Sequence, residues 1–348
     1  MRRTRRGVDV RWKEYFRRTL EPVEIKAYTG YEGERWEQVI PALRPWRHFV
    51  TDAFISGAAP KNFVHVYDHN SARRDHPPSW PAYIAKVGHK RYPTESITEQ
   101  LMTRIGETLG VRMAASRLMV CAGQIRFLSR YFLSREESLV QGADSLGSEA
   151  YLGDEQFVAA VGQEKLERDV FTFPVFCEAI HARFTGTADE IILDFVRLVG
   201  FDAIVGNQDR HFQNWGVIVD PKGLRPPRFS PVYDTARGLF WNEPEGQLGR
   251  LESDQTLLRY IENSQPLIGW EGEPKINHFS LVEHVAALDP RFRRVLSDLC
   301  LPGSLTRLGN VIESEFKSLL SNERRNLIRQ CLGIRLKLFA SAIGAKPC

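Results

Sequence analysis

No apolar run in the sequence approaches the ~18 residues that a membrane-spanning helix needs. Cysteine is sparse: Cys121, Cys177, Cys300, Cys331 and Cys348 lie far apart, and no C-x-x-C pair occurs. That spacing argues against a zinc site or a disulfide framework and for reduced, mostly buried thiols. Charge of one sign is also lacking, since 47 Lys and Arg face 43 Asp and Glu for a net +4. No internal repeat or low-complexity block is present. The N-terminus is basic, but no apolar stretch follows it, which argues against a secretory signal. Arg2, Arg3, Arg5 and Arg6 read as a frayed, solvated terminus. Direct nucleic-acid binding is therefore not expected, and the chain reads as a cytoplasmic protein that meets no membrane.

What is present is ordinary globular chemistry, 43% hydrophobic and 26% charged over 348 residues. That length allows one large domain or two lobes with a cleft between them. Residues 1–46 show no clean period and read as an N-terminal extension. From about Val50 the pattern turns β-like, with strands expected at Phe63–Tyr67 and Ala82–Val87. The proline-rich stretch Asp68–Pro81 between them reads as a loop. After Pro93, Ile97, Leu101, Ile105 and Leu109 mark one helix face, with Thr94 or Ser96 as cap and Gly110 as stop. Another β-like stretch covers Leu118–Phe132. Beyond Tyr131 the chain reads as mainly helical, with helices over Asp189–Phe201 and Glu323–Ala342. The one exception is a hairpin in residues 214–234. The expectation is an α+β, protein-kinase-like fold: a small β-rich N-lobe over 47–132 and a larger helical C-lobe over 133–348. Such an outline alone is weak evidence of function.

The segment Gly206-Asn-Gln-Asp-Arg-His-Phe-Gln-Asn-Trp-Gly216 carries more weight. Asp209 and Asn214 stand in the D-x-x-x-x-N spacing of kinase catalytic loops. An Asp carboxylate can orient a hydroxyl and take its proton, and an Asn carbonyl is an uncharged oxygen ligand for magnesium. Strands at Trp215–Val219 and Arg228–Val232, joined by the turn Asp220–Gly223, put Asn214 and Asp234 symmetrically about position 224. Folding that hairpin brings two oxygen ligands beside a candidate base. Lys86, on the strand before the helix, can reach nucleotide phosphates if a helical carboxylate holds it. Glu99 is the expected partner, in an open cleft where water solvates it, and Glu95 is the alternative. The loop Ser56-Gly-Ala-Ala-Pro-Lys61, with Gly57 and Ala58 at its bend, can present backbone N–H groups to phosphate. His65 and His69 are four apart, but in a strand and loop, and read as non-ligands.

In these residues the chain resembles the HipA-like family of bacterial serine/threonine kinases, many of them toxins of toxin–antitoxin pairs. The matching features run in order: Ile55–Lys61, Ile84-Ala-Lys86, Glu99 before Gly110, Ser129-Arg-Tyr131, Glu137–Gly142, Asn207-Gln-Asp-Arg-His211 with Asn214, and Pro231-Val-Tyr-Asp234. The resemblance implies ATP and magnesium (Mg2+) as cofactors. It implies Asp209 as base, Asn214 and Asp234 as magnesium ligands, and Lys86 as the phosphate-binding lysine. His211 belongs to the same nucleotide-side block, and Ser129, Arg130 and Tyr131 resemble the hinge whose backbone meets adenine. The Ser56–Lys61 loop resembles a mobile glycine-rich loop that can carry an autophosphorylated serine. Phe54 occupies the place of that serine, which leaves Ser56 or Thr51 as autophosphorylation candidates. Many relatives carry a further small N-terminal domain, and 46 residues are too few for it, so either a separate partner chain supplies it or it is absent; an antitoxin is a further candidate partner chain. A protein substrate is expected. Rival classes are a phosphoinositide or small-molecule kinase, which also uses D-R-H-x-x-N, and a non-catalytic pseudokinase acting as a binding module.

Overall fold

A computed structural model of the chain describes residues 18–31, 36–52, 60–68, 73–142, 171–273 and 275–346. It divides into two compact units, residues 1–100 with 114–132 and residues 101–113 with 133–348.

The first unit is built on a five-stranded antiparallel sheet: β1 (His48–Thr51), β2 (Lys61–Val66), β3 (Ala82–Lys86), β4 (Ser116–Cys121) and β5 (Gln124–Arg130), in the order β1-β2-β3-β5-β4. The stretch expected as one β region over Leu118–Phe132 is thus a hairpin, turned by Ala122 and Gly123, both at positive φ. Period-two alternation decides what each strand buries. Val64 and Val66 of β2 and Tyr83 and Ala85 of β3 point into one core with Met119, Cys121 and Leu128. Leu20 and Leu43 join that core. Backbone bonds tie residues 41–43 to Val120, and the Gln124 amide exchanges two bonds with the Val23 backbone at 2.8 and 2.7 Å. The described residues N-terminal to β1 have no period of their own because pairing to the sheet orders them.

Helix α1 (Thr94–Thr108) follows, its first turns counted with the first unit and its remainder with the second. It stops where expected, at Gly110, whose φ of 77° suits a residue without a Cβ.

The second unit contains helices α2 (Phe173–Arg183), α3 (Ala188–Val205), α4 (Asp254–Glu262), α5 (His278–Leu288), α6 (Pro290–Ser297), α7 (Ser304–Glu315) and α8 (Asn322–Ala342). Asp189 and Glu190 in the first turn of α3 favour the positive end of its dipole. Ile191, Ile192, Phe195, Val196, Leu198 and Val199 are all buried, so most of α3 lies in the core of the unit, with Asp194 and Arg197 on its one partly exposed face. Phe195 stacks on Phe176 at 3.7 Å and meets Trp215 edge-on at 5.0 Å. Trp215 in turn stacks on Phe229. This aromatic chain fixes the hairpin against α2 and α3.

The hairpin is part of a three-stranded antiparallel sheet: β6 (Ser138–Gln141), β7 (Gly216–Val219) and β8 (Arg228–Phe229). β6 departs from the expectation of a helical chain broken only by residues 214–234. Four residues with one apolar pair give no measurable period, and pairing to β7 supplies the strand. Gly142 ends it; a Cβ there would meet the Trp215 ring at 2.3 Å. Just before β6, Glu137 accepts from the Ser134 N–H and from Arg228 and Arg225. The backbone bond and the guanidinium hold its carboxyl down at about 2. The register pairs Val217 with Phe229 and Ile218 with Arg228, which centres the hairpin on position 223 rather than 224 and puts each partner two residues from the one assumed. The Ser230 N–H still donates to the Gly216 carbonyl at 2.8 Å, and Pro231, which offers no N–H, follows directly.

Cys121, Cys177 and Cys331 are free thiols. Cys300 is disulfide-bonded, which corrects the expectation that all five are reduced. Among the described residues no helix is long and apolar enough to cross a membrane.

Candidate active site

Within the first unit, Lys86 ends β3 on the face opposite Tyr83 and Ala85. Its Nζ donates to Glu99 Oε1 at 2.8 Å, so Glu99 rather than Glu95 takes the lysine. The two side chains are 12% and 5% exposed. Glu99 is therefore buried, not solvated in an open cleft as expected. Desolvating each charge costs several kcal/mol, which the attraction between the two offsets only in close, well-aligned geometry. Lys86 also lies 5.8 Å from the Phe127 ring centre.

Ser129 is buried opposite Ile84, and Tyr131 donates its N–H to Ala82 at 3.0 Å. The Arg130 guanidinium lies over the Tyr83 ring. Lys61 starts β2 directly across from Lys86, and Thr51 ends β1 opposite Phe63. Ser56, Gly57 and Ala58, with Phe54, lie outside the described residues. His65 bonds the Trp80 carbonyl through Nδ1 and stacks on Phe49, a structural role; His69 lies outside the described residues.

Within the second unit the D-x-x-x-x-N segment begins as α3 stops. Gly206 adopts φ 67° and sends its N–H back to Asp202. Side-chain atoms on that glycine would collide with the Arg335 guanidinium. From there the loop is organised by a buried ion pair that the sequence reading did not single out. Arg210 donates to both oxygens of Asp202, Nε to Oδ2 at 2.8 Å and Nη2 to Oδ1 at 3.1 Å. The same guanidinium donates through Nη1 to the Asn214 and Tyr233 carbonyls, both at 2.8 Å. One buried cation thus joins both ends of the hairpin, which brings Asn214 together with the residue before Asp234. Burial alone would lower Arg210, but the charge and hydrogen bonds of Asp202 prevail and raise it.

Asn207 donates to Asp202 Oδ1 at 2.9 Å, and the Asp209 N–H reaches back to Asn207 Oδ1. The Asn214 amide nitrogen donates to the Asp209 carbonyl at 2.8 Å, which leaves its Oδ1 as the atom available to a cation. Asp209 Oδ2 lies 3.3 Å from Arg237 Nε. Burial lowers His211 below its usual value, although the charges of Asp209 and Asp234 act against it. Both carboxylates therefore bear on the same imidazole. Asp234 stands at φ 54°, a left-handed conformation that Asp tolerates better than most residues. A neutral amide oxygen and a carboxylate suit a hard cation such as magnesium.

Asp202, Arg210 and Arg237 are what sequence reasoning missed. Asp202 did carry a signal, because a lone acid inside Phe201-Asp-Ala-Ile-Val requires a buried partner. Asp202→Ala is expected to destabilise the protein by about 3–5 kcal/mol, because the Arg210 charge stays buried without it. Urea denaturation measures this, and a loss under about 1 kcal/mol, typical of surface pairs, would contradict the assignment.

A family model described as the HipA-like C-terminal domain matches residues 53–299. Among solved structures, the proinflammatory kinase CtkA of Helicobacter pylori is similar at 16% identity and a TM-score of 0.64. The likeness covers 84% of this chain and 94% of that one. HipA of Shewanella oneidensis MR-1, solved with HipB and operator DNA of its toxin–antitoxin system, is similar at 16% identity and a TM-score of 0.50. That match covers 84% of this chain and 66% of HipA. No curated protein matches the sequence. At these identities the likeness shows the fold, which is kinase-like, with a small antiparallel sheet followed by many helices.

Proposed function

Because the chain belongs to the HipA-like C-terminal domain family, we propose that it is an ATP- and magnesium-dependent serine/threonine protein kinase. The observation that carries this reading is the Arg210 guanidinium bonded to both the Asn214 and Tyr233 carbonyls. It ties together the segments that carry the proposed base, amide oxygen and carboxylate, the groups that phosphoryl transfer uses, and so supports this reading. In the reaction the acceptor hydroxyl oxygen bonds to the γ-phosphorus as the bond to the β-phosphate oxygen breaks. The hydroxyl proton goes to Asp209, and ADP leaves with the electron pair. Asn214 and Asp234 would hold magnesium, which supplies neutralising charge to the β- and γ-phosphate oxygens. Lys86, fixed by Glu99, would hold the α- and β-phosphates, and Ser129 to Tyr131 would receive adenine along their backbone. His211 stays neutral near pH 7 and offers a hydrogen bond rather than a charge. The acceptor is a protein hydroxyl, with Ser56 or Thr51 of the same chain as autophosphorylation sites. A separate partner chain of antitoxin type fits the same reading.

Lys86→Met tests the phosphate-binding role. Loss of a charge-assisted contact of roughly 1.5–3 kcal/mol should weaken magnesium–ATP binding about 10- to 150-fold. The buried Glu99 would lose its partner, so the variant should also be less stable without nucleotide, by about 1–3 kcal/mol. Each protein is therefore compared with its own nucleotide-free melting temperature. A wild type stabilised by magnesium–ATP beside an unresponsive variant supports the assignment. Equal shifts would place the nucleotide elsewhere, and no shift in either, with no transfer, would favour a pseudokinase.

A further inference from the structure

We propose that Arg237 is the cation that neutralises the transferring phosphoryl group, held beside the acceptor oxygen by its pairing with Asp209. This inference rests on the kinase reading above. Three contacts fix the residue. Its Nε lies 3.3 Å from Asp209 Oδ2. Its backbone carbonyl accepts the Gln208 N–H at 3.1 Å, which locks this segment to the loop carrying the base. Its guanidinium lies 4.5 Å from the Trp241 ring centre, and the Trp241 N–H is itself bonded to the Gly238 carbonyl at 3.0 Å. A planar guanidinium set on an aromatic face keeps its N–H fork in one plane.

Elimination supports the choice. Arg210 is nearer the sequence motif, but it is 1% exposed and committed to Asp202 and two carbonyls. Arg225 and Arg228 are engaged by Glu137. Arg237 and Asp209 are each about one-third exposed, at 33% and 34%, so both side chains reach solvent. The nearest approach in the ion pair is made by Nε. The two Nη groups keep four N–H donors, which have no protein partner among the described residues. A residue that served only to position Asp209 would have no need of a solvent-facing fork.

Chemistry gives the fork its task. In phosphoryl transfer, negative charge is spread over the equatorial oxygens of the transferring group. Asp209 and Asp234 add two negative charges to that surrounding, so a fixed cation beside the base lowers the barrier through preorganised electrostatics. Arg237 keeps its proton throughout, while the hydroxyl proton goes to Asp209.

Arg237→Gln and Arg237→Lys test this, with kcat, KM for magnesium–ATP, and the Kd values of magnesium–ATP and magnesium–ADP as readouts. Arg237→Gln is expected to lower kcat about 10²- to 10³-fold, the scale of one lost oxyanion donor. KM should stay within about threefold, because the contact is made in the transition state. The Kd values of magnesium–ATP and magnesium–ADP should likewise change by no more than about threefold, and added guanidinium ion should restore part of kcat. Arg237→Lys should retain more activity than Arg237→Gln. An unchanged kcat, or a loss that neither lysine nor guanidinium relieves, overturns the inference. So does failure of both variants to fold, which would make the residue structural. A wild type that moves no phosphate from ATP overturns the kinase reading together with this one. An active wild type with an indifferent Arg237→Gln overturns this one alone.

Discussion

Asp234→Ala is expected to abolish ATP turnover and to weaken magnesium–ATP binding by about 10²-fold, or ~2.7 kcal/mol. Asp234 contributes the negative charge of the candidate metal site, whereas Asn214 contributes only a neutral oxygen. Its position is set with care: the preceding carbonyl is bonded to buried Arg210, and its own backbone stands at φ 54°. Left-handed backbone costs roughly 1–2 kcal/mol per non-glycine residue and persists where surrounding contacts enforce it. Asp234→Asn serves as the companion variant, because Asn tolerates that backbone while losing the charge. Calorimetry with magnesium–ATP measures both. Wild-type affinity in either variant would remove Asp234 from the metal site.

Asp209→Asn should lower phosphoryl transfer by about 10² or more and leave the fold and nucleotide binding in place. The carboxylate is one-third exposed and is not part of the buried Asp202–Arg210 network. The backbone carbonyl that accepts from Asn214 remains in the variant. An amide cannot take the hydroxyl proton, and it also loses the ion pair with Arg237. Single-turnover transfer with saturating magnesium–ATP isolates the chemical step. Undiminished transfer would exclude Asp209 as base.

Local periodicity carried much of the fold. β2, β3, α1, α3 and α8 each have enough residues for a period of two or 3.6 to show, and their bounds fall within a few residues of those expected. β6 was not legible because four residues have no period; β7 makes it a strand. The hairpin was legible from its turn, but its pairing was off by two residues, since a pairing offset depends on the ladder rather than on the ends. In the site, Asp209, Asn214 and Asp234 stood out because spacing and residue type together limit the chemistry. Arg210 sits inside that same segment, yet its role depends on Asp202 one helix turn before Gly206 and on two carbonyls. Backbone acceptors leave no mark on a sequence. Arg237 reads as an ordinary charge until the fold places it beside Asp209. Glu99 was identified as the partner of Lys86, while its burial was not, because burial of one helix position depends on what packs over it.

The most direct test of the kinase account is transfer of label from γ-labelled ATP, with magnesium, to proteins of a bacterial lysate by the purified protein. The account predicts label on protein serine or threonine that disappears when magnesium is chelated and when Asp234→Ala replaces the wild type. Label no greater with the wild type than with Asp234→Ala would contradict it.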